Sequence, residues 1–304
     1  MKNFTEFTAE VMENIKNYLS EEYQDADMRI EHQVKAGYEY DSLIITKKSD
    51  VGGYTIAPAL NLTSAYSHYC EVGEDIDSIT KELARIRMQK IPEFNRDDIA
   101  NYVRASERIF PRLLNYENNK NYLKGKLYKR VADLAVCYDV RLKEDNTGVA
   151  SCCVTDGLSE LWGVSPEEID RCAFKNLSER KPLFMNMVEA LAFVDCDRDI
   201  SDVEVDGYTA PFFVLTSKSK CKGSAYVLVP EVMDKVTELL GGDIYVIPSS
   251  VDEVIVLPKT AADDVDFLNN MLRTINAEEV KPEDRLSNNV YEYRAEEGEL
   301  VIAE

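Results

Sequence analysis

The chain has 304 residues, 45% of them hydrophobic, which excludes a disordered protein and is enough for one large domain or two ordinary ones. Its net charge of −21 disfavours binding to nucleic acid backbones and to anionic lipid. No apolar run reaches the ~18 residues that a membrane-spanning helix needs. The N-terminal segment lacks the apolar stretch of a secretory signal. We therefore expect a cytoplasmic protein without membrane contact.

The first half of the chain predicts a helix, then strands, then more helices. Phe4, Phe7, Val11 and later apolar residues recur at helical spacing. Short β-prone runs follow between residues 28 and 60, with a Gly-containing turn at 50–53. Apolar stripes then predict helices over 75–89 and over 97–115, the second kinked or ended by a proline.

The second half predicts pairs of strands separated by helices. Pairs of β-prone runs predict hairpins, and Ser165 followed by proline and glutamates is a strong helix start. The predicted elements are a hairpin over 131–155, a helix over 167–177, a hairpin of 211–216 with 224–229 around the basic loop 217–223, a helix over 230–240, strands at 243–248 and 253–258, a helix over 262–276 and a hairpin over 288–304.

This order of elements predicts an α+β fold, with antiparallel sheets built from β-hairpins and packed amphipathic helices. Strands come in adjacent pairs, whereas a doubly wound parallel sheet would alternate strand and helix. We place the boundary between two regions, 1–125 and 126–304, in the polar stretch near 120–130. Whether the two regions pack as one compact unit is left open.

The segment "PSSVDE", between the strand-like runs 243–248 and 253–258, is the first candidate site. It places two hydroxyls beside two carboxylates, so it can be a polar turn, a binding surface or a nucleophile with its partner. No Gly-x-Ser-x-Gly elbow accompanies it, which favours the turn. The residues of this candidate binding surface are Pro248, Ser249, Ser250, Asp252 and Glu253.

The second candidate is a basic stretch over residues 101–130, with eight Lys or Arg against two Glu and several interleaved tyrosines. Three of its arginines follow at i, i+4 and i+8, so the predicted helix would place them on one face. Such a patch can bind an anion, or its charges can pair with the abundant acids of the same fold. The candidate anion-binding patch consists of Arg104, Arg108, Arg112, Lys124 and Lys126.

Cofactor and metal motifs are not recognised in the sequence. The seven cysteines form no Cys-x-x-Cys pair, and only two histidines are present, so we predict no zinc site and interpret the cysteines as buried thiols. The glycine pairs match neither phosphate-binding motif. The carboxylate runs at 195–199 and 263–266 lack the order of a calcium loop. We expect no metal and no cofactor.

Four stretches carry a family resemblance. They are "RVADLAVCYDV", "CVTDGLSELWGVSPEEIDRCAFKNL", "YVIPSSVDEVIVLP" and "RLSNNVYEYR". In their order the chain resembles a bacterial domain of unknown function, number 5688 in that series, and more distantly an uncharacterised Firmicutes family that includes the YtpQ-type proteins. The resemblance implies a cytosolic protein of anaerobic Firmicutes. It implies no catalytic residue.

Three hypotheses for function follow. The first is a cytoplasmic binding or accessory protein that acts through a surface or groove, without a cofactor and with another protein as its partner. The second is a hydrolase or transferase of unrecognised type that uses the PSSVDE segment. The third is an acidic inhibitor that mimics nucleic acid and binds a basic partner. Nucleic acid itself is a disfavoured partner at this net charge, and the oligomeric state is open.

Overall fold

The computed structural model describes residues 1–47, 57–89, 95–145, 148–192, 199–205, 211–262 and 264–304. It divides into two compact units, Met1–Glu93 and Phe94–Glu304. The predicted turn at 50–53, the middle of the hairpin tip at 146–147, the carboxylates of 195–198 and Asp263 lie outside the described residues.

The first unit packs helices against a small antiparallel sheet. Its helices are α1 (Phe4–Asn14), α2 (Leu62–Val72) and α3 (Ile76–Met88), and its strands are β1 (Asp27–Lys35), β2 (Tyr38–Thr46) and β3 (Leu60–Asn61). The strands pair in the order β1-β2-β3. Asn3 and Glu6 form a capping box that begins α1, and Gly73 ends α2 in the left-handed conformation, with φ of 74°. The predicted opening helix and the strand pair after it are confirmed.

The second unit contains two antiparallel sheets. Its strands are β4 (Ile109–Asn115), β5 (Tyr128–Val131), β6 (Leu134–Asp145), β7 (Gly148–Cys153), β8 (Pro182–Asn186), β9 (Phe213–Ser217), β10 (Ile244–Ile247), β11 (Glu253–Pro258), β12 (Tyr291–Arg294) and β13 (Glu299–Ile302). The first sheet has the order β4-β6-β5, with β7 also paired to β6. The second has the order β13-β12-β10-β11-β9-β8.

Helices of varied length connect these strands. They are α4 (Asp97–Ala100), α5 (Tyr102–Ser106), α6 (Lys120–Leu123), α7 (Asp156–Trp162), α8 (Pro166–Ser178), α9 (Met187–Leu191), α10 (Pro230–Leu240) and α11 (Val265–Glu278). Ser165 caps α8, as its sequence predicts. The main core joins both sheets with α8 and α10, through residues such as Val140, Ile169, Leu215 and Val236.

The predicted α+β class is confirmed, because the sheets of the described residues are antiparallel and helices pack against them. The hairpin of β6 with β7, the pairing of β10 with β11 and the C-terminal hairpin of β12 with β13 are also as predicted. Within the described ranges, no helix combines the length and apolar character needed to cross a bilayer.

The helix predicted over 97–115 is wrong in its second half. Residues from Ile109 onward form β4, which pairs with β6 along its whole length. Both faces of β4 are largely buried, so its apolar run does not alternate as an exposed strand would. Pro111 fits there because β4 lies at an edge of its sheet, where a missing backbone N–H is tolerated.

The prediction of a hairpin from 211–216 and 224–229 is also wrong. Gly223–Leu228 forms a 3₁₀ turn, and β9 pairs with β11 and β8 instead. The strand β8 was not predicted from the sequence. A short apolar run is compatible with a strand or with a buried turn, and only its tertiary neighbours distinguish the two.

The boundary predicted between residues 125 and 126 falls inside the second unit, which begins at Phe94. The reason is the pairing of β4 with β6, which joins residues 109–115 to the later part of the chain. The basic stretch therefore belongs to the second unit.

Candidate functional site

A cavity of about 330 Å³ in the second unit is lined by several charged and hydroxyl-bearing side chains. Its walls come from the end of β6, the end of α8 with the residues after it, and the loop after β9. Its charged and hydroxyl-bearing residues are Arg141, Glu144, Arg180, Lys181, Lys218, Ser217, Ser219 and Tyr226, which we call the cationic cavity.

Glu144 holds the two arginines of the cationic cavity together. Its Oε1 accepts a hydrogen bond from Arg141 Nη1 at 2.8 Å, and its Oε2 accepts one from Arg180 Nη1 at 2.6 Å. Burial opposes ionisation of this carboxyl, but the hydrogen bond from Arg180 and the charge of Arg141 outweigh it and lower the pKa of Glu144. Glu144 is therefore a carboxylate that positions two cations.

Phe110 supports the same two arginines from another direction. The guanidinium carbons of Arg141 and Arg180 lie 4.1 Å and 4.2 Å from the centre of its ring. A cation over an aromatic face is stabilised by the ring quadrupole. The Arg141 side chain is only 6% exposed, whereas that of Arg180 is 46% exposed, so Arg180 is the more accessible to a ligand.

The charge of the lining is opposite to that of the whole protein. Four cations face one carboxylate in a chain with a net charge of −21. Burial and the neighbouring Arg180 lower the pKa of Arg141, although Glu144 acts in the other direction. In the described part of the chain, Arg141 Nε is a buried donor with no hydrogen-bond partner. The lining therefore retains capacity to attract an anion.

Hydroxyl groups complete the cavity. Ser217 Oγ donates to the carbonyl of Cys221 at 2.8 Å and lies 3.2 Å from Ser219 Oγ. Tyr226 donates its hydroxyl to the carbonyl of Arg180 at 3.2 Å. Burial raises the pKa of Tyr226 to about 12, so the phenol keeps its proton at neutral pH.

The PSSVDE segment does not line this cavity. It forms hydrogen bonds to the loop after β9, which does line it. Asp252 Oδ1 accepts from the backbone N–H of Lys222 at 2.7 Å, and its carbonyl accepts from Gly223 at 2.9 Å and from the Thr216 hydroxyl at 2.7 Å. The carbonyl of Val251 accepts from Ser224 Oγ at 2.7 Å. These bonds fix the end of β9, where Ser217 lies, and the loop after it, which carries Lys218 and Ser219.

The residues of the predicted binding surface form a structured turn, and their role as a binding surface stays a prediction. Pro248 is buried, and Ser249, Ser250, Asp252 and Glu253 are half-buried. Burial, together with the charge of Asp252, raises the pKa of Glu253. Ser250 Oγ accepts from two backbone N–H groups, those of Asp252 at 3.1 Å and of Glu253 at 3.3 Å. This is the local pattern that favours serine in turns.

Replacing Ser250 with alanine is expected to lower the free energy of unfolding by about 1 kcal/mol, because two backbone donors lose their acceptor. Ser249→Ala is the matched control, since the described residues give its hydroxyl no hydrogen bond and only its backbone N–H is bonded. Urea denaturation of both variants measures the difference. Equal stabilities of the two variants would contradict the turn as described.

The predicted basic patch does not form one helix face. Arg104 and Arg108 both lie near Asp98, at 3.6 Å and 3.1 Å. Arg112 is in β4, where its Nε lies 3.1 Å from Asp139 Oδ2.

The two lysines of the predicted patch have local contacts of their own. Lys124 donates to Asn121 Oδ1 at 2.9 Å, and Lys126 lies over the Tyr122 ring at 5.3 Å. The three arginines therefore face acids of the same unit, which is the alternative that the acid-rich composition favours, whereas the two lysines contact an amide and an aromatic ring.

Asp139 is the centre of a second polar cluster, beneath the loop after β9. It is 2% exposed and lies 2.7 Å from Lys222 Nζ in addition to its contact with Arg112. Lys222 Nζ also donates to Ser151 Oγ at 2.6 Å. Lys222 itself has a left-handed backbone, with φ of 54°. The buried ion pair therefore anchors the loop to the first sheet of this unit.

The sequence contains a signal for the cationic cavity that the prediction did not use. The loop "SKSKCKG" is basic, although the last 54 residues hold 14 acids against five bases. A basic loop close to such an acidic segment indicates a local requirement for positive charge. The other lining residues, on β6 and after α8, carry no local signal, because the fold brings them to the loop.

These features define an α+β protein with a ligand-sized cationic cavity. The profile of a family of unknown function, DUF5688, matches residues 4–295, and the chain belongs to that family. The predicted family is confirmed; its bacterial source and the likeness to the YtpQ-type family stay predictions. Comparison with curated proteins and with solved structures gives no match. In the described ranges, no cluster of three metal-ligating side chains is present.

Proposed function

We propose that this protein is a cytoplasmic binding or accessory protein whose second unit binds a small phosphate-bearing anion in the cationic cavity. The observation that carries the proposal is the convergence of four cations on one cavity in a protein of net charge −21. Positive charge in a cleft with low-dielectric walls raises the local concentration of anions.

The number of donors favours a phosphate group over a carboxylate. The lining offers the N–H groups of Arg180 and Lys181 as donors, and Lys218 adds a further positive charge. A carboxylate has two oxygens, whereas a phosphate presents three or more strong acceptors. Arg180 is held by Glu144 and Phe110, so little of its rotamer freedom remains to be lost on binding.

Lys181→Ala is expected to weaken the binding of pyrophosphate about tenfold, the loss of one charge-assisted hydrogen bond. No carboxylate of the described residues lies within 4.0 Å of this lysine, so its removal leaves no acid unpaired. Isothermal titration calorimetry with inorganic phosphate and pyrophosphate, at low and at high salt, measures the effect, and higher salt is expected to weaken binding.

Lys235→Ala is the matched control. It removes the same charge from α10, where Lys235 pairs with Asp199 at 3.0 Å outside the cavity, and it is expected to bind pyrophosphate as the unmodified protein does. The proposal is overturned if neither anion binds at concentrations up to ~10 mM, because a specific site of this kind is expected to have a Kd below that value. It is also overturned if Lys181→Ala and Lys235→Ala have the same effect.

A further inference from the structure

A second cavity of about 330 Å³ lies elsewhere in the second unit, between the end of β4, the helix α11 and the segment before β12. Its lining consists mainly of amides and guanidinium groups. The residues on which the argument rests are Asn115, Arg273, Asn276, Arg285, Ser287 and Asn288, and we call their site the amide cavity.

The two arginines of the amide cavity form no ion pair with an acid among the described residues. In the part of the chain that the structure describes, the Arg273 side chain makes a single long hydrogen bond, 3.5 Å, to Asn270 Oδ1. Arg285 donates to backbone carbonyls, through Nε to Val280 at 2.8 Å. Among the described residues, no carboxylate lies within 4.0 Å of either guanidinium, although the chain has 56 acids against 35 bases. Two such arginines at one cavity leave positive charge available for a carboxylate.

Asn276 provides a second feature that a ligand can use. Among the described residues, its side-chain oxygen accepts no hydrogen bond. The residue is 2% exposed and lines the cavity. Its Nδ2 donates to the Ser287 carbonyl at 2.8 Å and to Asn288 Oδ1 at 2.9 Å, which fixes the orientation of the amide. Within the described ranges its Oδ1 has no hydrogen-bond partner. A buried acceptor of this kind is unfavourable by about 1–3 kcal/mol until an N–H or O–H reaches it.

We propose that the amide cavity is a second ligand site, which takes a small carboxylate that also carries an N–H group, as an N-acylated amino acid does. The carboxylate lies against Arg273 and Arg285, and the N–H donates to Asn276 Oδ1. The volume suits such a ligand, since it equals that of roughly ten water molecules. This ligand differs in chemistry from the phosphate of the cationic cavity, so the two sites are tested independently.

Three probes separate the two parts of this recognition. N-acetylglycine carries both the carboxylate and the N–H, acetate carries only the carboxylate, and N-methylacetamide carries only the amide. For a ligand of about eight heavy atoms we expect a Kd on the order of 1 mM for N-acetylglycine. Acetate and N-methylacetamide are expected to bind at least about tenfold more weakly. Ligand-observed NMR titration measures all three.

Arg273→Ala is the test variant, because Arg273 is exposed and its truncation is expected to leave the fold intact. It is expected to weaken N-acetylglycine binding about tenfold. Arg171→Ala, an exposed arginine of α8 paired with Glu168, is the charge-matched control, and Lys181→Ala in the cationic cavity is a second control. Neither is expected to change this binding. Absence of N-acetylglycine binding at ~20 mM, equal binding of the three probes, or an unchanged Kd in Arg273→Ala each overturns the proposal.

Discussion

Gly223→Ala is expected to destabilise the second unit by about 3 kcal/mol or more. A Cβ at this position would lie 2.3 Å from the backbone nitrogen of Ser217 and 2.7 Å from the carbonyl oxygen of Asp252. Both neighbours are backbone atoms, so the contact cannot be relieved by the rotation of a side chain. The same change breaks the hydrogen bond from Gly223 to Asp252 and displaces the loop that carries Ser217 and Ser219.

The control for this prediction is Gly157→Ala. No atom lies within 4 Å of a Cβ at position 157, which is in the first turn of α7. Alanine is favoured over glycine in a helix, so the control is expected to be neutral or more stable by up to about 1 kcal/mol. Urea denaturation measures both variants. If Gly223→Ala unfolds at the same urea concentration as the unmodified protein, the close packing of the loop is refuted.

Asp139→Asn is expected to lower the free energy of unfolding at pH 7 by about 3 kcal/mol, near the lower end for breaking a buried ion pair. Asparagine keeps the size of the side chain but leaves the charges of Arg112 and Lys222 buried without a counter-ion. Glu168→Gln is the comparison, because it also removes an ion-paired carboxylate, but one whose side chain is 47% exposed, beside Arg171. There the expected loss is at most about 1 kcal/mol.

The effect of Asp139→Asn is expected to depend on pH. Burial alone would raise the pKa of Asp139, but the charges of Arg112 and Lys222, with hydrogen bonds from Lys222 and Ser151, outweigh it and lower the pKa. A carboxyl with a lowered folded-state pKa contributes its stability above the unfolded-state value of about 3.9, and loses it as the pH falls through the folded-state pKa.

The stability difference between the two proteins is therefore constant from pH 7 to about pH 5 and narrows below about pH 4. Denaturation curves at several pH values test this. A difference that narrows between pH 7 and pH 5 would show that another group controls it.

The pairing of β10 with β11 could be predicted because both runs are rich in β-branched residues and a polar segment with proline separates them. The helix α8 could be predicted from its cap and first-turn proline. In contrast, β4 and the 3₁₀ turn Gly223–Leu228 could not, because a short apolar run has the same composition in a strand, a helix or a buried turn.

The contacts of the candidate sites were harder to predict than the fold. The sequence left the PSSVDE segment open as a polar turn, a binding surface or a nucleophile, because its hydrogen bonds to the loop after β9 join residues about 30 positions apart in the chain. The basic patch was predicted from helical spacing, and the strand β4 removed that spacing at Arg112. Each cavity has one short run of neighbouring lining residues, 217–219 in the cationic cavity and 285–288 in the amide cavity, but the rest of each lining comes from distant parts of the chain and completes no motif.

The sequence by itself determined the acidic character of the protein, its α+β class, its family and those elements that have local start and stop signals. These properties depend on composition or on neighbouring residues. Only the tertiary structure decided which cations are neutralised and which remain available. Arg112 is paired with Asp139, whereas Arg273 and Arg285 have no acid beside them in the described chain. Ion pairing depends on distances of a few ångströms between atoms, and those distances are set by packing rather than by separation along the chain.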